Sequence, residues 1–175
     1  MTGAVHAHLS DPSAWVVRWA ERIPAGGDVL DVACGGGRHA RLLAGLRHRV
    51  VAVDREPLIR EWLAGVAAEI VVADLEQGPW PFADRRFDGV VVTNYLWRPL
   101  FPALLEVIAP GGVLIYETFA VGNERFGRPS NPEFLLRPGE LLDLVRGRGR
   151  VLGYEDDYVD RPKPALVQRI CLRRE

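Results

Sequence analysis

The sequence predicts an α/β fold: a doubly wound, mixed sheet, mostly parallel, that closes with an antiparallel hairpin. Three observations predict it. From residue 28 to 119, short runs rich in Val, Ile and Leu alternate with segments of helical periodicity. The runs are apolar nearly throughout, as strands buried on both faces are. Near the C-terminus two strand-like runs, 150–159 and 165–174, follow each other with only DRPKP between them.

In chain order, Ser10 and Asp11 are N-cap residue types, and Pro12 suits a first helical turn. Trp15, Val16, Trp19, Ala20 and Ile23 then recur at helical spacing, and PAGG ends this helix. DVLDVA (28–33) reads as a buried strand and GRHARLLAGL (37–46) as the helix after it. RVVAVD (49–54) and EIVVAD (69–74) are the second and third strands, with a helix at 57–67 between them. RFDGVVVTNY (86–95) is the fourth strand. PLFPALLEVI (99–108) is a helix with Leu100, Leu104 and Ile108 four apart, and APGG turns into a fifth strand at 113–119. The segment 120–138 is a long loop rich in Gly, Pro and Asn, the composition and length of a functional lid. A helix at 139–147 ends in RGRGR, where basic residues complement the helix dipole and Gly147 or Gly149 stops the helix.

The totals narrow the function classes. A chain of 175 residues is expected to form one domain over 1–175, with 1–10 frayed. Its 48% hydrophobic and 26% charged residues are ordinary for a globular protein. A net charge of −1 gives no overall pull toward nucleic acid or anionic membrane. Only one of the 22 basic residues is a lysine, Lys163, and the arginine bias counts as chemistry only where it meets a site. Cys34 and Cys171 make no disulfide framework, so a reducing, cytoplasmic setting is expected. The N-terminus lacks the basic start and apolar run of a signal peptide. No uncharged stretch approaches the ~18 residues that span a bilayer. His6 and His8 are too few for a metal site, no ligand spacing appears elsewhere, and no metal is expected.

Two ligands compete for DVACGGGRHA (31–40). Gly35, Gly37 and Ala40 fit G-x-G-x-x-G/A, and Asp54 stands 19 residues past Gly35, near where a dinucleotide fingerprint places its acid. Register argues against that ligand. Dinucleotide binders put the first glycine where the first strand ends. With the strand ending at Val32, that position is Ala33 and the third glycine falls on Arg38. In the frame of Gly35, Asp31 becomes a carboxylate inside a buried strand, which is costly unless a cation answers it. S-adenosylmethionine brings an ammonium and a sulfonium. Asp54 and Asp74 close the second and third strands. Asp54 can accept from ribose hydroxyls, and Asp74 from an adenine amino group with the Leu75 backbone at the ring edge.

VLDVACGGGRHA, VAVDRE, VVADLE, FDGVVVTNYL and LLEVIAPGGVLIYETF together resemble the successive motifs of class I S-adenosylmethionine-dependent methyltransferases, in order and spacing, over roughly residues 27–119. The resemblance implies a Rossmann-like seven-stranded sheet of order 3-2-1-4-5-7-6, its last strand antiparallel and inserted between the fifth and sixth. It implies that Asp31 and the backbone of Ala33, Gly35 and Gly37 hold the amino-acid end of the cofactor, with Cys34 adjoining as a small turn residue. Asp54 holds the ribose, and Asp74 and Leu75 the adenine, flanked by Arg55 and Leu58. Asn94 and Tyr95 face the methyl-transfer centre. Ala33 stands where the family usually has glycine, and alanine is expected to fit there with negative φ. Asn94–Tyr95 is similar to the N/D-P-P-Y motif of amino-group methyltransferases but lacks both prolines, so it does not specify an amine acceptor. The lid is faintly similar to that of small bacterial, tellurite-resistance-like methyltransferases.

Methyl transfer needs in-line positioning and, for a protonated acceptor, a base. Glu117, at the end of the fifth strand, is the candidate base, with Asn94 and Tyr95 as the other catalytic candidates. Trp97, Arg98 and Phe119 are candidates to wall the acceptor pocket. Arg125 and Arg128 in the lid, beside Asn123, Phe126 and Asn131, would favour an anionic small molecule if the lid closes over it. His39 is expected at the surface or the cofactor's edge. The sequence therefore points to a methyltransferase that converts S-adenosyl-L-methionine to S-adenosyl-L-homocysteine, with a small-molecule acceptor as partner and neither membrane nor strong nucleic-acid binding. Alternatives are an RNA or protein acceptor with a partner protein, a non-catalytic cofactor-binding regulator, a nicotinamide oxidoreductase and an aminopropyl transferase. Monomer and homodimer both stay open.

Overall fold

A computed structural model describes residues 11–175. The expected fraying of 1–10, and His6 and His8, lie outside the described residues. Helix α1 (Ala14–Ala20) starts later than its sequence signals placed it. Its cap is Ser13, whose hydroxyl accepts from the Trp15 N–H at 3.1 Å, and not Ser10 or Asp11.

The sheet has seven strands in the order β3-β2-β1-β4-β5-β7-β6, as the resemblance implied. They are β1 (Asp28–Val32), β2 (Arg49–Asp54), β3 (Ala68–Val72), β4 (Phe87–Thr93), β5 (Ile108–Phe119), β6 (Gly149–Val159) and β7 (Ala165–Arg174). The first five run parallel, and β7 is antiparallel to both β5 and β6. Side-chain alternation feeds two cores. Leu30, Val90, Val92, Leu114 and Tyr116 pack on one face, while Val29, Val91, Val113 and Ile115 pack on the other. The second face is covered by Trp15 and Trp19 of α1, Leu43 of α2 (Arg38–Gly45) and Ile59 of α3 (Ile59–Trp62).

Three elements differ from expectation. Helix α3 is a single turn and does not fill 57–67, because Gly65 turns the chain at φ +81°. The helix expected at 99–108 splits into a 3-10 turn, Arg98–Leu100, and α4 (Phe101–Glu106). Pro99 and Pro102 remove two N–H donors there. Strand β5 starts at Ile108, taking APGG into the sheet with a register shift opposite Phe87–Gly89. Helix α5 (Glu140–Val145) stops two residues before Gly147, which turns the chain at φ +72°, with Arg146 paired to Asp143 and Arg148 to Glu106.

The topology decides what meets what. The parallel strands all end on one edge of the sheet. Antiparallel β7 starts on that edge, with Val167 opposite Phe119. The turn between β6 and β7 (160–164) is thereby carried to the end of β5.

Candidate functional site

The turn after β1 is built from backbone bonds. Cys34 donates its N–H to the Val53 carbonyl at 3.0 Å, and Gly37 to the Cys34 carbonyl at 2.9 Å. Asp54, closing β2, braces the turn: its Oδ2 accepts from the Gly35 N–H at 2.8 Å and its Oδ1 from the Glu56 N–H at 3.0 Å. Ala33 takes φ +51°, so the expectation of negative φ there is corrected. A left-handed alanine carries roughly 1–2 kcal/mol of strain that glycine avoids.

A cavity of about 160 Å³ opens beside this turn, at the ends of β1, β2, β3 and β4. Ala33, Gly35, Asp54, Arg55, Asp74, Leu75, Asn94 and Tyr95 line it, joined by Ala73 and Glu76. Asp54, Asp74 and Glu76 outnumber Arg55, so the cavity is acidic. Backbone N–H groups of Glu76 and Gln77 hold the Asp74 carboxyl below its ordinary value. Burial holds the Tyr95 phenol above its ordinary range, the Glu76 and Asp74 charges adding to it, so it stays neutral. Asp31 lies within β1 and is 1% exposed. Burial pushes its carboxyl up to about 7, against a hydrogen bond from the Ala40 N–H and the charge of Arg38. Asp31 Oδ2 and the Tyr95 hydroxyl are buried and have no hydrogen-bond partner among the described residues. Buried polar atoms of this kind are normally answered by a partner.

A second, larger cavity of about 360 Å³ adjoins the first and shares Asn94 with it. Asn94 follows β4 at φ +53°, a conformation asparagine tolerates, and donates its N–H to the Glu117 carbonyl at 2.9 Å. Pro12, Ala14, Phe119, Val159, Pro162 and Val167 give this cavity apolar walls. A network ties its floor together. His39 Nε2 accepts from the Ser13 N–H at 3.0 Å, and the Ser13 hydroxyl donates to Glu117 Oε1 at 2.7 Å. Glu117 Oε2 pairs with Arg169 at 3.1 Å, and Arg169 pairs again with Glu155. Burial pulls His39 down to about 3, so it is a neutral acceptor that anchors α1; the expectation of a surface position is corrected.

A family model described as "Methyltransferase domain" matches residues 29–112, from β1 into β5. A probable S-adenosylmethionine-dependent methyltransferase of Mycolicibacterium smegmatis is 31% identical over 140 residues, covering 71% of this chain and 52% of that protein. The chain belongs to the class I S-adenosylmethionine-dependent methyltransferases. TehB from Haemophilus influenzae has the same fold, with a TM-score of 0.77 at 18% identity over 94% of this chain and 63% of that one. A Burkholderia thailandensis 1,6-didemethyltoxoflavin N1-methyltransferase, solved with its substrate and S-adenosylhomocysteine, aligns with a TM-score of 0.65 at 22% identity over 92% of this chain and 76% of that one. The chain spans about half the length, or less, of the curated relatives it matches.

Within this methyltransferase fold, most expected cofactor residues come together at the acidic cavity. Asp31, Cys34, Gly37 and Leu58 do not line it: Asp31 is buried within β1, and Leu58 is exposed. Cys34 is buried in the core and burial pushes its thiol up, while Gly37 packs against Leu63. Glu117 and Phe119 line the second cavity. Trp97 is half-buried against the core and lines neither cavity. Arg98 is not free for an anion. It donates to Glu140 at 2.6 and 3.0 Å and to the Glu133 and Leu135 carbonyls, bolting the 120–138 segment to α5. Arg125 bonds the Gly122 carbonyl and Arg128 is exposed; neither lines a cavity. The base of this segment is itself packed, with Asn123 buried and bonded to Pro129 and Leu166.

The cations that do line the second cavity are Arg38, Arg161, Lys163 and Arg169, none of them a sequence-derived candidate. The signal that could have found Arg161 and Lys163 was topological, since an antiparallel β7 beside β5 returns the DRPKP turn to the ligand edge. The Arg98 bolt carries a prediction of its own. Burial pushes the Glu140 carboxyl up, but bonds from Arg98 and Arg137 outweigh it and hold it at about 2. That stabilisation is present above pH ~4.5 and is lost as pH falls toward 2. Glu140→Gln is expected to cost about 2 kcal/mol at pH 7, with the difference from wild type closing below pH 3 in a thermal-unfolding series.

Proposed function

We propose that the protein transfers a methyl group from S-adenosylmethionine to a small-molecule acceptor held in the second cavity. The observation that carries this reading is the meeting of an acidic cavity and a larger, apolar-walled one at a single residue, Asn94. When bound, the cofactor supplies an electrophilic methyl group that passes to an acceptor lone pair as its bond to sulfur breaks, leaving a neutral thioether. Asp31 and the Ala33 and Gly35 backbone hold the amino-acid end, Asp54 the ribose, and Asp74 with Leu75 the adenine. Arg55 closes the cavity's outer side. Asn94 and Tyr95 set the approach of acceptor to donor, and that positioning is the main source of rate. Glu117, with one oxygen on Ser13 and the other on Arg169, positions the cavity floor and is a poor base.

Thermal unfolding with S-adenosylhomocysteine, and separately with NADH, tests this directly. At ~100 times its dissociation constant a ligand adds ~2.7 kcal/mol, or roughly 5–10 °C for a chain of this size. A rise with S-adenosylhomocysteine alone is expected. A rise with NADH alone would overturn the cofactor assignment, and binding without turnover across an acceptor panel would indicate a regulator.

A further inference from the structure

We infer that the second cavity takes an organic anion, its acid group held by Arg161 and Lys163 and its apolar body laid against Phe119 and Val167. Only the ligand's role as methyl acceptor rests on the function proposed above; the anion site stands on its own residues. Four cations line this cavity against two carboxylates, Asp11 and Glu117. Arg169 is neutralised by Glu117 and Glu155. Arg38 donates to the Asp11 backbone carbonyl and not to a carboxylate. Arg161 and Lys163 make no ion pair among the described residues. Lys163 Nζ lies 5.8 Å from the centre of the Phe119 ring, so the charge stands directly over the apolar wall. That juxtaposition of an unanswered ammonium, a neighbouring guanidinium and an aromatic face fits an amphiphilic anion. The acidic first cavity repels the same ligand, which orders the two occupants: cation on one side of Asn94, anion on the other.

The test uses two fluorescent probes of one shape, 8-anilinonaphthalene-1-sulfonate and its uncharged counterpart N-phenyl-1-naphthylamine, titrated with and without S-adenosylhomocysteine. The sulfonate is expected to bind about tenfold more tightly than the neutral dye. The Arg161→Ala/Lys163→Ala variant loses that factor for the sulfonate and changes the neutral dye less than about twofold. Both residues are exposed on a turn, so the variant keeps the wild-type melting temperature. Phe119→Ala weakens both dyes, whereas Phe126→Ala, on the apolar patch with Tyr158 outside the cavity, weakens neither. Unchanged sulfonate affinity in the double variant, or equal affinity of the two dyes for wild type, overturns the anion site. A charge-dependent dye site in a protein that ignores S-adenosylhomocysteine overturns the methyltransferase reading and leaves the anion site standing.

Discussion

Asp31→Asn is expected to stabilise the free protein at pH 8 and to weaken S-adenosylhomocysteine binding at least about a hundredfold. Both effects come from one buried carboxylate. Asp31 is 1% exposed, one of its oxygens has no partner, and burial pushes it up to about 7. Its folded-state value thus lies above the ordinary 3.8, so its stability contribution is full below about pH 4 and is lost as pH rises through 7. At pH 8 the ionised form costs the fold on the order of 2–4 kcal/mol, which an amide removes. The melting temperature is expected to rise roughly 5–10 °C. The same substitution removes the charge proposed to answer the cofactor's ammonium, and stranding one member of a buried pair costs about 3–5 kcal/mol. Cofactor binding to wild type should also expel up to one proton near pH 6, since a cation beside Asp31 restores its ionised form. Calorimetry in buffers of different ionisation enthalpy counts that proton. His39 works in the opposite sense. Its value is lowered to about 3, so its contribution is lost as pH falls from 6.5. In wild type the two slopes oppose each other between pH 4 and 6.5; in Asp31→Asn only the rise with pH is left. A variant that binds S-adenosylhomocysteine within threefold of wild type would remove Asp31 from the site.

The parts legible in the sequence were those that depend on local pattern. Continuous apolar runs marked the five parallel strands, because burial on both faces leaves no polar alternation. Acids at the end of β2 and two residues past β3 marked Asp54 and Asp74, because the chain leaving a strand at the ligand edge keeps its next side chains there. What stayed hidden depends on long-range pairing. Arg98 follows the Asn94–Tyr95 strand end and reads as a site cation, but Glu140, 42 residues on, claims it. His39 follows the glycine turn and reads as peripheral, but it is buried and accepts from the backbone N–H of Ser13, the cap of α1. Arg161 and Lys163 sit in a turn whose composition says only that the chain reverses. Their place follows from β7 running between β5 and β6, and no local window contains that fact. Ala33 shows a third kind of gap. The turn needs positive φ at three positions, and glycine fills only two of them.

Gly37→Val separates a glycine that holds ligand from one that holds the fold. In the fingerprint Gly37 looks like a phosphate- or cofactor-facing residue. In the structure it takes φ +78° at the start of α2, and a Cβ built on it would overlap the side chain of Leu63, which is itself 1% exposed. The valine therefore meets two penalties. A β-branched residue in the left-handed region costs at least about 1–2 kcal/mol, and forcing methyls into a packed contact costs a further ~1–3 kcal/mol. A loss of about 4 kcal/mol is expected in denaturant unfolding, with the cofactor dissociation constant of the folded fraction unchanged within about twofold. Leu63→Ala opens room opposite the new side chain. The Gly37→Val/Leu63→Ala pair should therefore lose less than the sum of its single variants, by at least ~1 kcal/mol of coupling. Strict additivity would mean that Leu63 is not the obstacle. A tenfold loss of cofactor affinity in protein that remains folded would mean that the third glycine faces the ligand. The distinction matters for the whole turn, because Leu63 packs Gly37 from outside while Asp54 grips Gly35 from the cavity side. The glycine turn is thus held between a hydrophobic stop and a carboxylate brace, and its exposed backbone is set in place before any ligand arrives.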